Sequence, residues 1–140
     1  MVWVQCLLLR RGQVPKVPVI SIIDDDDSVR ASVGCLVRSL GLQAHTFASA
    51  EEFLRSALVN DTSCLIVDVH MPGMSGLELQ TLSLSQGRRT PVIFITAFPE
   101  KRIRSDAVAL GAVGFLSKPF DGAALIECID RALGRQRPKA

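Results

Sequence analysis

The chain has 140 residues, 48% of them hydrophobic and 21% charged, which suits one ordinary domain with a real core and excludes a disordered segment. A net charge of +2 and a pI near 8.5 leave no basic footprint for direct nucleic-acid binding. The four cysteines, Cys6, Cys35, Cys64 and Cys128, lack zinc-ligand spacing and read as reduced, packed residues of a cytoplasmic protein.

Residues 1–17 form an N-terminal extension. Its apolar stretch from Met1 to Leu9, with Trp3 as a candidate anchor, precedes Arg10 and Arg11. A secretory leader has the opposite charge order, and the stretch is too short to cross a bilayer, so no membrane role is expected. Pro18 to Ile23 is β-branched and reads as a first strand, ending in Asp24-Asp25-Asp26-Asp27. Val29, Val33, Leu36, Val37 and Leu40 then recur at helical spacing, and Gly41 closes that helix. Asp26, Asp27 or Ser28 can cap its start. Gln43 to Phe47 reads as a short strand with His45 exposed. Ser49 and Glu52 form a capping box for a helix that buries Phe53, Leu54, Ala57 and Leu58.

The apolar run Leu65-Ile66-Val67 stops at Asp68, and Pro72, Gly73 and Gly76 punctuate the loop beyond it. Such a run reads as a buried strand delivering Asp68 to its C-terminal end. Leu77 to Gln86 is a weaker helix. Val92 to Ile95 is a fourth strand ending at Thr96. Ile103, Ala107 and Leu110 mark a helix stopped by Gly111. Val113 to Leu116 is a fifth strand ending at Lys118-Pro119. Leu125, Cys128, Ile129, Ala132 and Leu133 mark the last helix, stopped by Gly134. Residues 135–140 are a basic tail or linker stub.

A strand followed by a helix, five times over, with near-continuous apolar strands, predicts an α/β fold. Right-handed crossovers make it a doubly wound, flavodoxin-like three-layer sandwich with parallel strand order 2-1-3-4-5. In that order four strands bring polar residues to one sheet edge: Asp24 and Asp25, Asp68, Thr96 and Lys118. Three clustered carboxylates raise one another's pKa unless a cation relieves them. Mg²⁺ is suited to this, with Asp25 and Asp68 as direct ligands and Asp24 through water. An ionised carboxylate can also attack phosphorus and become an aspartyl phosphate. Lys118, across Asp68 from the metal, and the Thr96 hydroxyl would then offset charge on the transferred group. Taken singly, Asp68 is a helix cap, Lys118 an ion-pair partner of Asp68 and Thr96 a turn cap.

The motifs I-I-D-D-D-D-S-V-R, I-V-D-V-H-M-P-G-M-S-G-L-E-L, F-I-T-A-F and F-L-S-K-P-F span the chain from Val17 to Arg135. Together they resemble the receiver domain of two-component response regulators, here residues 18–134. F-A-S-A-E-E-F-L is similar to the FixJ-like branch, whose members often carry a DNA-binding output domain. The resemblance implies that Asp68 takes a phosphoryl group from a histidine kinase or phosphotransfer protein. It implies a Mg²⁺ site built from Asp24, Asp25, Asp68 and the main-chain carbonyl of His70. It implies Thr96 and Phe115 as a switch pair, Lys118 as the phosphate contact and a cis bond before Pro119. The surface of the fourth helix, fifth strand and fifth helix would change on phosphorylation and serve a partner, an output domain or a homodimer. His70 stands where other side chains are commoner, and also reads as a plain loop histidine. Phe115 lacks the hydroxyl of a tyrosine.

Two other classes remain open at this point. An aspartate-nucleophile phosphatase or phosphotransferase needs a second aspartate two residues after the nucleophile, where this chain has His70. A binding module of the same fold that is never phosphorylated would have no use for Asp25, Asp68, Thr96 and Lys118 together.

Overall fold

The computed structural model describes residues 16–135. The N-terminal apolar stretch with Trp3 and Cys6, and the tail beyond Arg135, lie outside the described residues. Within them strands and helices alternate: β1 (Val19–Ile23), α1 (Asp27–Ser39), β2 (Gln43–Phe47), α2 (Ala50–Leu54), β3 (Cys64–Asp68), α3 (Gly76–Ser85), β4 (Val92–Thr96), α4 (Lys101–Ala109), β5 (Gly114–Ser117) and α5 (Gly122–Ala132). The strands form one parallel sheet in the order β2-β1-β3-β4-β5. This is the doubly wound sandwich expected from the alternation. The two middle strands nearest the site, β3 and β4, are buried along their whole length, as befits a sheet covered on both faces.

Strand alternation sends successive side chains to opposite faces, and two cores result. Ile20, Ile22, Ile66, Ile93 and Ile95 meet Val33 and Val37 of α1 and Leu125, Cys128 and Ile129 of α5. Leu65, Val67, Val92 and Phe94 meet Phe53 of α2, Leu79 of α3 and Ala107 of α4. α1 starts at the N-cap Asp26, whose side chain accepts from Ser28 N and Val29 N. It ends at Gly41, whose φ of +79° suits glycine.

Three local expectations change. Ser49 Oγ accepts from Glu52 N at 3.1 Å, but Glu52 Oε2 accepts from Ala48 N at 3.3 Å. The box is therefore open at α2, and the closed, reciprocal one is Ser75 with Glu78 at α3. α2 also stops at Leu54, leaving Ala57 exposed. Ser56 Oγ donates to Phe53 O at 2.7 Å and accepts from Leu58 N at 3.2 Å, a local alternative to continuing the helix. Cys35 is exposed, unlike the buried Cys64 and Cys128. It lies between Val33 and Val37, off the buried stripe of α1.

Candidate functional site

The acidic loop after β1 is shaped by its own hydrogen bonds. Asp24 Oδ1 accepts from Asp26 N at 2.9 Å. Arg30, one turn into α1, donates to Asp24 O at 2.6 Å and also pairs with Asp27. Asp24 is thereby fully buried while Asp25 stays exposed. Asp68 ends the buried strand β3 at 4% exposure, and its Oδ1 accepts from His70 N at 3.3 Å. One carboxylate oxygen from each of Asp24, Asp25 and Asp68 lies within 4.8 Å of the others.

Lys118, just beyond β5, brings its ammonium to both buried acids. Its Nζ lies 2.9 Å from Asp24 Oδ2 and 3.3 Å from Asp68 Oδ2. It donates a hydrogen bond to Asp68. The contact with Asp24 is closer but lies off the hydrogen-bond axis, so it is best described as an ion pair. The sequence suggests a lysine serving Asp68 alone. The structure shows it between two carboxylates, because two acids buried side by side attract the nearest ammonium toward both. The Lys118–Pro119 bond is cis.

The electrostatics follow from this packing. Burial, then the charge of Asp24, pushes the Asp68 carboxyl above its ordinary pKa, with Lys118 pulling it back. Burial would lower the Lys118 pKa, but its close contact with Asp24 and the charges of both acids outweigh that and raise it. Two carboxylates sharing one ammonium remain under-neutralised. The donors are all carboxylate oxygens, one of them, Asp24 Oδ2, buried with no aligned donor among the described residues. That chemistry fits a hard divalent cation such as Mg²⁺ and fits a soft metal poorly.

Thr96, at the end of β4, is fully buried, and its Oγ1 accepts from Phe98 N at 3.0 Å. Its hydroxyl thus caps the turn that follows. Phe115 stands opposite Phe94 on the neighbouring strand, half-buried on the second core. His70 is exposed, its ring edge-on to that of Phe98 at 5.7 Å between centroids. The structure thus brings Asp24, Asp25, Asp68 and Lys118 together. Thr96 closes the neighbouring strand, and Phe115 lies further back along β5.

Two residues outside the predicted site, Gly76 and Glu51, shape the loop after Asp68. A Cβ on Gly76 would stand 2.4 Å from Asp68 O, so only glycine lets α3 begin against that backbone. Glu51 Oε2 accepts from Met74 N at 3.0 Å. Its own N–H and that of Met74 hold its carboxyl below the ordinary pKa. Gly76 is visible in the sequence as turn punctuation. Glu51 carries no signal there, because its partner is 23 residues away.

The family model for the response regulator receiver domain matches residues 20–130. The chain belongs to that family. This receiver domain is 40% identical to the transcriptional regulatory protein FixJ of Azorhizobium caulinodans over 122 residues, which are 87% of this chain and 58% of that one. It is 40% identical to nodulation protein W of Bradyrhizobium diazoefficiens over 121 residues, 86% of this chain and 53% of that one. A crystal structure of a response regulator receiver protein from Burkholderia phymatum matches it with a TM-score of 0.75 at 38% identity, covering 87% of this chain and 99% of that one. The FixJ-like branch and the receiver fold read from the motifs are both borne out. The chain spans about half the length of the curated relatives it matches. No helix among the described residues is long and apolar enough to cross a membrane.

Proposed function

We propose that residues 18–134 are the phospho-accepting switch of a two-component relay, with Asp68 as the acceptor. An Asp68 carboxylate oxygen attacks the phosphorus of a phosphohistidine or a small acyl phosphate. The P–N or P–O bond to the donor breaks, and its electron pair leaves with the donor. Lys118 offsets charge on the transferred group, and the Thr96 hydroxyl donates to one of its oxygens. Asp24, Asp25, Asp68 and the His70 carbonyl would hold Mg²⁺. When bound, Mg²⁺ supplies positive charge against the acids and the phosphoryl oxygens.

The observation that supports this most directly is the ammonium of Lys118 shared between Asp24 and Asp68 beside a third carboxylate. A structural ion pair needs one acid; a nest of three beside a single ammonium is left net negative and suits a divalent cation, whose charge would in turn admit a negatively charged phosphoryl group. Once Asp68 carries phosphate, Thr96 gives up its turn-capping role and Phe115 follows it inward. α4, β5 and α5 then present a different surface. That surface controls a partner, a second copy, or a DNA-binding output domain, and the donor is a histidine kinase or phosphotransfer protein of the cytoplasm. The chain is a regulatory domain, with turnover confined to its own phosphorylation and dephosphorylation.

Incubation with acetyl phosphate and Mg²⁺ is expected to add one phosphoryl group by intact-protein mass, with none added to Asp68→Asn. Equal labelling of the asparagine variant would refute the assignment.

A further inference from the structure

Phe115 has no hydroxyl with which to anchor its outer edge, so its position depends on what packs against the ring. On one side that is the second core. Over the ring stands the guanidinium of Arg104, from α4, 4.8 Å from the ring centroid and within cation–π range.

α4 is itself lightly secured. Its N-cap, Glu100, makes no side-chain cap bond, and its first turn carries no acid. Lys101 and Arg102 stand there instead, against the positive end of the helix dipole. Ala107 is its buried residue, and Val108 is 66% exposed. A helix with so little buried area loses little by shifting. Arg104 therefore joins a lightly secured helix to the aromatic member of the switch pair.

We propose that Arg104 is a positioning residue of the switch: its contact with the Phe115 ring pins ring and α4 in the unphosphorylated arrangement and sets how much protein adopts the other one. This rests on the switch reading above. An exposed cation–π contact shifts a two-state equilibrium by a factor of about two to five. The affinity of any ligand that needs the minor state scales with that state's population.

The test uses the whole chain with 4-fluorophenylalanine at its six phenylalanines, the Phe115 resonance being assigned with Phe115→Leu. Beryllium fluoride with Mg²⁺ serves as the phosphoryl mimic. In Arg104→Gln the Phe115 resonance of the free protein should move toward its beryllium-fluoride position. Apparent affinity for beryllium fluoride should rise about two- to fivefold. Arg104→Lys, which keeps the cation and loses the planar stack, should fall between. Wild-type resonance and affinity in Arg104→Gln, or a resonance shift the other way, would overturn the proposal alone. A wild-type Phe115 resonance indifferent to beryllium fluoride and Mg²⁺ would overturn the switch reading and this proposal with it.

Discussion

On one face of the sheet α1 runs 13 residues and α5 runs 11, and each begins under an aspartate, Asp26 or Asp121, whose carboxylate accepts from the first turn. On the other face α2 is five residues long and α4 starts without a side-chain cap. The first face is closed by long, well-ended helices over isoleucines of the central strands. The second is assembled from shorter pieces over Phe53, Phe94 and a partly buried Phe115. Asp68 follows Ile66 by two residues and continues the pleat of the first face. Thr96 follows Phe94 and continues that of the second. Asp68 and Thr96 thus belong to different faces of one sheet edge, and the proposed responder, Thr96, lies on the face less firmly held.

The sharpest way to break this contrast is to cut into each face. Leu125→Ala, in the first core, is expected to cost about 2–5 kcal/mol in urea unfolding. Val108→Ser, on the exposed side of α4, should stay within about 0.5 kcal/mol. Comparable losses would mean that Val108 is packed like Leu125 and that α4 is not lightly held. Gly76→Ala presses a methyl group onto the Asp68 carbonyl and should cost about 1–3 kcal/mol. It should also slow acetyl phosphate labelling, which reads the loop independently of stability.

The acidic edge gives a prediction in pH. Asp68 is held above its ordinary pKa by burial and then by Asp24. The folded protein therefore keeps a proton that the unfolded chain has already released. Stability in EDTA should fall as pH rises from the ordinary carboxylate range through the raised Asp68 value. The same slope should flatten in Asp68→Asn, measured as melting temperature against pH. Millimolar Mg²⁺ should raise the wild-type melting temperature through ligand linkage and raise that of Asp68→Asn less. Identical melting temperatures with and without Mg²⁺ would contradict the metal site.

The smallest effects test the helix ends. Ser75→Ala, which opens the capping box of α3, should cost about 1 kcal/mol. Lys101→Glu should instead stabilise, by about 0.3–1 kcal/mol, since it places an acid at the positive end of α4. A loss there would mean that the cation is held by something other than the dipole.

Strand positions were legible from the chain because buried parallel strands are written as short apolar runs, and Val92 to Ile95 or Leu65 to Val67 can be little else; their order followed from the strand–helix alternation with right-handed crossovers. The site was legible for a related reason. Asp68 and Thr96 follow such a run directly and Lys118 follows one after Ser117, so knowing where the strands end locates the acids and the lysine. What depended on distant partners was not legible. Glu51 holding Met74, Lys118 dividing itself between Asp24 and Asp68, and Arg104 over Phe115 join residues on different elements, with no shared pattern to link them. Ser56 ending α2 early is a local choice between two hydrogen-bonding schemes that periodicity does not distinguish. Periods of hydrophobicity act over a few residues, so they were enough to specify the strands and helices along the chain. Which charges share a partner, and which helix is loosely held, depend on burial and on distances across the folded sheet, so those emerged only on folding.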